Sequence, residues 1–201
     1  MAGFNSNYGG GTIYVDVSHL MDTINTMKRA MSTASFHEMM RRTFNDAGKK
    51  VKTIIRKDVP QEYAVTAGWA GSAVGWPKMS GLGVVVPIKG HRGSLGGTFA
   101  ASGGRGRPAK GRRAKIQAKI VRGQSSTLPA TLPHQGGQPP FMVGGVVFTR
   151  KYANKSHPIV HVVGLGVPQM PINRSEAQVQ KDISDVVEKR LIHHFGQLFG
   201  K

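Results

Sequence analysis

Near the start of the chain Ile13, Val15 and Val17 alternate with Tyr14 and Asp16. A period of two puts the apolar side chains on one face, so residues 12–17 are predicted to form a half-buried strand. The period then changes. After Ser18, a side chain suited to an N-cap, Leu20, Ile24, Met27 and Met31 recur at helical spacing. A second helix is predicted from the capping box Ser35-Phe-His-Glu38, whose polar side chains suit the free amides of a first turn. Its apolar stripe is Phe36, Met40, Phe44, Ala47, Val51, Ile54 and Ile55, and Arg41, Arg42, Lys49, Lys50, Lys52, Arg56 and Lys57 fill the opposite face. Pro60 has no amide hydrogen to donate and is expected to end this helix. Residues 66–74 are expected to add one weak helical turn.

The middle of the chain is rich in valine and glycine, and strands are predicted at 82–88, 95–100, 115–122, 142–149 and 159–163. Two long irregular pieces, 101–113 and 123–140, lie between them. A closing helix is predicted from Glu176, capped by Ser175 with Gln178 at the box position. Its stripe is Val179, Ile183, Val186, Val187, Leu191, Phe195 and Leu198. Strands and helices do not alternate strictly, so the expected fold class is α+β: a mixed or antiparallel sheet packed against an N-terminal helical pair and a long C-terminal helix. We read residues 1–201 as one domain, with 1–11 a flexible glycine-rich lead and 101–140 a basic Gly/Pro-rich arm or insertion. There are no internal repeats.

Charge sharpens this picture. The chain has 201 residues with 28 Lys and Arg against ten Asp and Glu, a formal net charge of +18. All ten acids lie at 16–62 or 176–188, while 63–175 holds fifteen cations and no carboxylate. Such a single-sign stretch attracts polyanions or acidic protein faces and does little for fold stability. Absence of cysteine removes disulfides, thiolate metal sites and cysteine nucleophiles. No apolar run approaches the roughly 18 residues of a membrane span. The first residues lack the basic and apolar regions of a secretion signal, so a soluble, intracellularly made protein with no membrane partner is expected.

Arg105-Gly-Arg-Pro108 resembles an AT-hook, whose arginines enter a narrow A·T minor groove. The same residues also read as plain disorder, or as part of a flexible cationic arm carrying Arg105, Arg107, Lys110, Arg112, Arg113, Lys115, Lys119 and Arg122, available to phosphates or to acidic neighbours. His157 and His161 could share one strand face, and His193 and His194 are adjacent near the end. No carboxylate lies near the first pair to complete a zinc site, so no metal is expected. Gly90-His-Arg-Gly-Ser-Leu-Gly-Gly97 lacks the Lys-Ser/Thr pair of a phosphate-binding loop and reads as glycine turns. General acid–base chemistry and magnesium binding usually recruit Asp or Glu, which the centre lacks. We therefore expect no enzyme and no cofactor. Nine methionines, several on the first two helices, fit core filling or an adaptable contact surface.

Val147-Phe-Thr-Arg-Lys-Tyr-Ala-Asn-Lys-Ser-His-Pro-Ile159, then Gly164-Leu-Gly-Val-Pro-Gln-Met170 and a long terminal helix, resembles the minor tail protein Z family of tailed bacteriophages. So does an opening strand and helical pair whose second helix ends in Val51-Lys-Thr-Ile-Ile-Arg56. The turn Val167, Pro168, Gln169 and Met170 carries most of the likeness, which spans the chain outside 101–140. The resemblance implies a non-enzymatic virion part, assembled in the bacterial cytoplasm. Such a part completes the head-proximal end of the tail as a ring of copies with sixfold symmetry. Its implied partners are further copies of itself, the tail tube or tail terminator, and neck or connector proteins, with nonspecific contact to DNA in the lumen. The Gly/Arg insert departs from the family's compact pattern. The rival expectation is a standalone nucleic-acid-binding protein of ribosomal or nucleoid type. Against it, Phe99 is the only aromatic residue between Trp76 and Phe141 available for base stacking.

Overall fold

Helical and alternating periods segregate along the chain, and the computed structural model turns them into an α+β fold with antiparallel sheets. It describes residues 3–7, 10–15, 20–80, 83–90, 92–103, 115–129, 131–132, 139–152 and 158–199. Contacts divide the chain into two compact units, each discontinuous in sequence. The first is Met1–Val59, Ala70–His91 and Val167–Lys201; the second is Pro60–Trp69 and Arg92–Gly166. The one-domain reading does not separate them, because each unit is assembled from segments distant along the chain.

In the first unit, β1 (Gly3–Asn7), β2 (Gly10–Val15), β3 (Lys78–Ser80) and β4 (Gly83–Lys89) form an antiparallel sheet in the order β1-β2-β4-β3. β1 falls in the lead read as flexible, where it pairs with β2 from Gly3↔Tyr14 to Asn7↔Gly10. Its Gly, Asn and Ser residues have little strand propensity, so the pairing comes from the open edge of β2 rather than from local sequence. Pro87 sits inside β4, but its carbonyl accepts from Gly75 N at 2.8 Å. The missing amide hydrogen therefore faces the 73–75 segment and leaves the β2 ladder intact. Ile13 and Val86, opposite one another across β2 and β4, are fully buried.

The same unit contains α1 (Met21–Ala30), most of α2 (Thr33–Glu62), α4 (Gln169–Asn173) and α5 (Glu176–Phe199). The predicted stripe of α2 is buried throughout, with Phe44, Val51 and Ile55 at zero exposure, and Met39 and Val59 extend it. Two expectations for α2 need correction. Its cap is Ser32, whose Oγ accepts from Ser35 N at 3.3 Å, one turn earlier than the predicted box. Glu38 instead binds Arg41 and Arg42, at 2.9 and 2.8 Å. Nor does Pro60 end the helix, which runs on to Glu62. Proline lacks the amide donor, but the carbonyls of Pro60 and Glu62 accept from Arg122, which holds this last turn from outside the helix.

α5 runs antiparallel to α2: His194 Nε2 lies 3.3 Å from Asp46 Oδ2, and Lys57 Nζ donates to Asp182 Oδ2 at 2.6 Å. Val179, Ile183, Val187 and Leu191 are buried, whereas Phe195 is half-buried and Leu198 exposed. Ser175 stands at the expected cap position, since its carbonyl accepts from Val179 N at 2.9 Å. Its hydroxyl, however, is buried without a partner, and Gln178 Nε2 donates to Asp182 Oδ1 at 2.6 Å. The predicted capping box is therefore not formed there.

The second unit is built from short strands. β6 (Ala100–Ser102), β7 (Gln117–Lys119) and β8 (Ser126–Thr127) form one sheet, and β9 (Phe141–Val143), β10 (Val146–Arg150) and β11 (Ile159–His161) form another. β5 (Arg92–Ser94) pairs with β12 (Val163–Gly166). The strand predicted over 142–149 is a hairpin, because Gly144 and Gly145 adopt φ of 58° and 84°. Two consecutive positive values are the signature of a tight hairpin turn, which glycine enters without a Cβ clash. The strand expected at 159–163 breaks at Val162, whose amide turns to Val147 O at 2.9 Å while its carbonyl accepts from Leu95 N at 2.9 Å. Residues 95–100 form a turn closed by the Leu95–Phe99 bridge, and the strand predicted over 115–122 shrinks to 117–119. Phe99 fills the centre: a Cβ on Gly93 or Gly164 would come within 2.7 or 2.9 Å of its ring, and Trp69 meets it edge-on at 6.0 Å. α3 (Ala67–Ser72) supplies that tryptophan and is capped by Thr66, whose Oγ1 accepts from Trp69 N at 3.2 Å.

Candidate functional site

The basic arm springs from a hairpin base. Ala100↔Lys119, Ala101↔Ala118 and Ser102↔Gln117 pair across β6 and β7. Gly103 has φ of 101°, and the place where its Cβ would stand is taken by the Lys115 carbonyl. Only glycine tolerates that approach, so the chain leaves β6 and enters β7 at neighbouring points. The connection between them carries Arg105, Arg107, Lys110, Arg112 and Arg113, which lie outside the described residues. Lys115 and Lys119 are exposed while Ile116 and Ala118 are buried, as alternation on a strand requires.

Arg122 has a different place. Its Nη1 donates to the Pro60 carbonyl at 3.1 Å and its amide to the Glu62 carbonyl at 2.8 Å. The last carbonyls of a helix have no intrahelical donors. Arg122 thus satisfies the end of α2, which its assignment among the arm cations did not anticipate. The family-like turn is also a packing element. Val167, Pro168 and Met170 are buried, Gln169 is half-buried, and Met170 N donates to Val167 O at 3.2 Å at the entry to α4. These four residues fall in the first unit and the arm cations in the second.

Beyond the arm, the sheet β11-β10-β9 presents an aromatic row that sequence reasoning missed. Phe148 lies opposite both Phe141 and His161 in the register, with ring centroids 6.1 and 4.6 Å away. The Arg150 guanidinium sits 5.4 Å over the Phe141 ring. Val147 and Thr149 point to the buried side of β10, so Val146, Phe148 and Arg150 share the outer side. Val143 is 58% exposed and Ile159 42%. Aromatic and arginine side chains grouped this way are the usual anchors of protein docking. The signal was in the sequence: a Gly144-Gly145 turn folds 141–143 back on 146–148 and sets Phe141 against Phe148.

The histidines form no metal centre among the described residues, where no group of three or more His, Asp and Glu could hold an ion. His194 is engaged by Asp46, and His193 packs its ring 5.3 Å from that of His194. His157 lies outside the described residues. Two carboxylates depart from ordinary behaviour. Glu38 is held down to about 2 by its hydrogen bonds to Arg41 and Arg42. Asp58 is pushed up, first by burial and then by the Asp182 charge, with Lys57 Nζ at 3.7 Å opposing the shift. Neither Asp58 oxygen has a hydrogen-bond partner.

The second unit thus carries the paired base of the cation-rich connection and a half-exposed aromatic face. No helix among the described residues is long and apolar enough to cross a membrane. No protein-family model, no curated protein and no solved structure matches this chain.

Proposed function

We propose that this chain is a structural subunit of a tailed-phage virion, completing the head-proximal end of the tail by docking to its neighbours. The observation that carries this reading is the hairpin base at Gly103 and Lys115, which anchors both ends of a cation-rich connection on one small body. In this reading the cation-rich connection meets a neighbour from that fixed base, which couples docking to assembly. The likeness of 147–159 and 164–170 to minor tail protein Z supports the placement in a tail. A ring of identical subunits needs two different faces per copy, and the arm and the Phe141–Phe148 face supply candidates for one side of that contact.

Partners in this reading are further copies in a sixfold ring, acidic surfaces of tube, terminator or connector subunits, and DNA passing through the lumen. The arm grips protein in preference to DNA, because tight phosphate contact would retard ejection. Electron microscopy of the purified protein, and of particles made with and without it, tests the proposal. Ring-shaped oligomers, and density lost from the head-proximal tail end in its absence, are expected. A protein that stays monomeric and binds duplex DNA with steep salt dependence would replace this reading with the nucleic-acid-binding one.

A further inference from the structure

Most cations described on the solvent face of α2 have a carboxylate close by. Arg41 and Arg42 share Glu38, Lys49 stands 3.8 Å from Asp46, and Lys57 binds Asp182. Lys52 and Arg56 lack one, and so does Lys50. It lines a groove of about 320 Å³ together with Val186, Lys189, Arg190 and His193 of α5. Positions 186, 189, 190 and 193 follow helical spacing and so share one face of α5. The register explains why Lys50 meets them. Asp46 faces His194, so one turn further along α2 and one turn back along α5 set Lys50 opposite Arg190.

Fixed positive charges facing one another across a helix pair repel, and a concave wall intensifies their field. No carboxylate lines this groove, and no ion pair within 4 Å among the described residues involves Lys50, Lys189 or Arg190. Asp46, one turn away, is already committed to Lys49 and His194. An anion with several oxygens would relieve the repulsion and use donors from both helices at once. A planar guanidinium and two ammonium groups suit a phosphate, which accepts in several directions, better than a lone carboxylate.

We propose that the α2–α5 groove is a binding site for phosphate groups, held by Lys50, Lys189 and Arg190 with His193 at its end. The phosphate comes from a nucleic-acid backbone or from a free polyphosphate. The site belongs to the first unit, stands apart from the arm, and does not depend on the virion reading.

Titration calorimetry on the full chain at fixed ionic strength tests it, with tripolyphosphate and a 20-base-pair DNA duplex as probes and sulfate as the control anion. Saturable 1:1 binding of tripolyphosphate is expected, weakened about tenfold by each of K50Q, K189Q and R190Q, because each removes a charge-assisted hydrogen bond. K52Q and K181Q, which remove equal charge outside the groove, should change it less than about twofold at this ionic strength. Circular dichroism checks folding, and K50Q and K189Q carry the test if R190Q unfolds. If the groove variants also weaken the duplex, a nucleic-acid backbone is the source; if duplex affinity is unchanged, it is a free polyphosphate. Absence of saturable tripolyphosphate binding, equal binding of sulfate, or equal losses in K52Q and K181Q would overturn the proposal.

Discussion

The two units solve different problems with the same alphabet. Among the described residues the first unit holds twenty-four of the thirty-two buried apolar side chains, mostly on α2, α5 and the sheet, while the second holds eight. Charge runs the other way. The second unit has twelve of the 28 Lys and Arg but only Glu62 of the ten acids, whereas the first has nine acids to its sixteen cations. All five described glycines with positive φ also fall in the second unit. One body is stabilised by long amphipathic helices and cross-helix ion pairs. The other relies on short strands and glycine turns, which leave its surface free to carry a single sign of charge. The contrast teaches that one chain can place most of its apolar burial in one body and most of its unbalanced charge in another.

The largest expected effect tests the first unit. Phe44→Ala removes a fully buried ring and should lower stability by about 3–5 kcal/mol in chemical denaturation. Hydrogen exchange should quicken mainly in α1, α2 and α5; equal quickening in the second unit would erase the comparison, showing that both bodies unfold as one. Gly96→Ala addresses the second unit. Gly96 has φ of 86°, and a Cβ there would run into the Gly145 backbone carbonyl, which cannot swing aside. A loss of about 1–3 kcal/mol is expected, and a neutral result would mean that this turn is wrongly placed.

A smaller effect is expected from Asp58→Asn. Burial raises the Asp58 carboxyl, so its contribution favours the fold in acid and fades as pH rises through its folded value. The wild type should therefore gain melting temperature relative to the variant on acidification, and the variant should be the more stable at pH 7. The reverse slope would show that Lys57 outweighs burial. The least effect on stability is expected from replacing 104–114 with three glycines. Shortening the connection between two paired strands changes closure entropy little, so melting should stay within about 4 °C. Ring formation or docking should fail in the same variant, and a large loss of stability would show that the arm belongs to the core.

Helices were far more legible in the sequence than strands. Phe36, Phe44, Val51 and Ile55 repeat over many turns, and a helix reads its partners from its own spacing. Capping was misread because Ser32 and Ser35 both suit the start of α2, and Glu38, three residues beyond Ser35, has two arginines within reach. Strands as short as β7 carry too few residues for alternation to declare itself. Their bounds depend on which neighbour pairs with them, as Val162 shows by turning between Val147 and Leu95. The acid-free setting of 63–175 was plain from composition. Arg122 as a helix cap was not, since its partner is sixty-two residues away.

By itself the sequence determined the α+β class, the buried stripes of α2 and α5 and the distribution of charge, because periodicity and composition are properties of contiguous residues. Only the tertiary structure decided that Lys50 faces Arg190, that Phe141, Phe148 and His161 form one row, and that Asp58 is buried beside Asp182. Each of these is a meeting of residues distant along the chain. Helix register and strand pairing fix such meetings, and no local pattern encodes them.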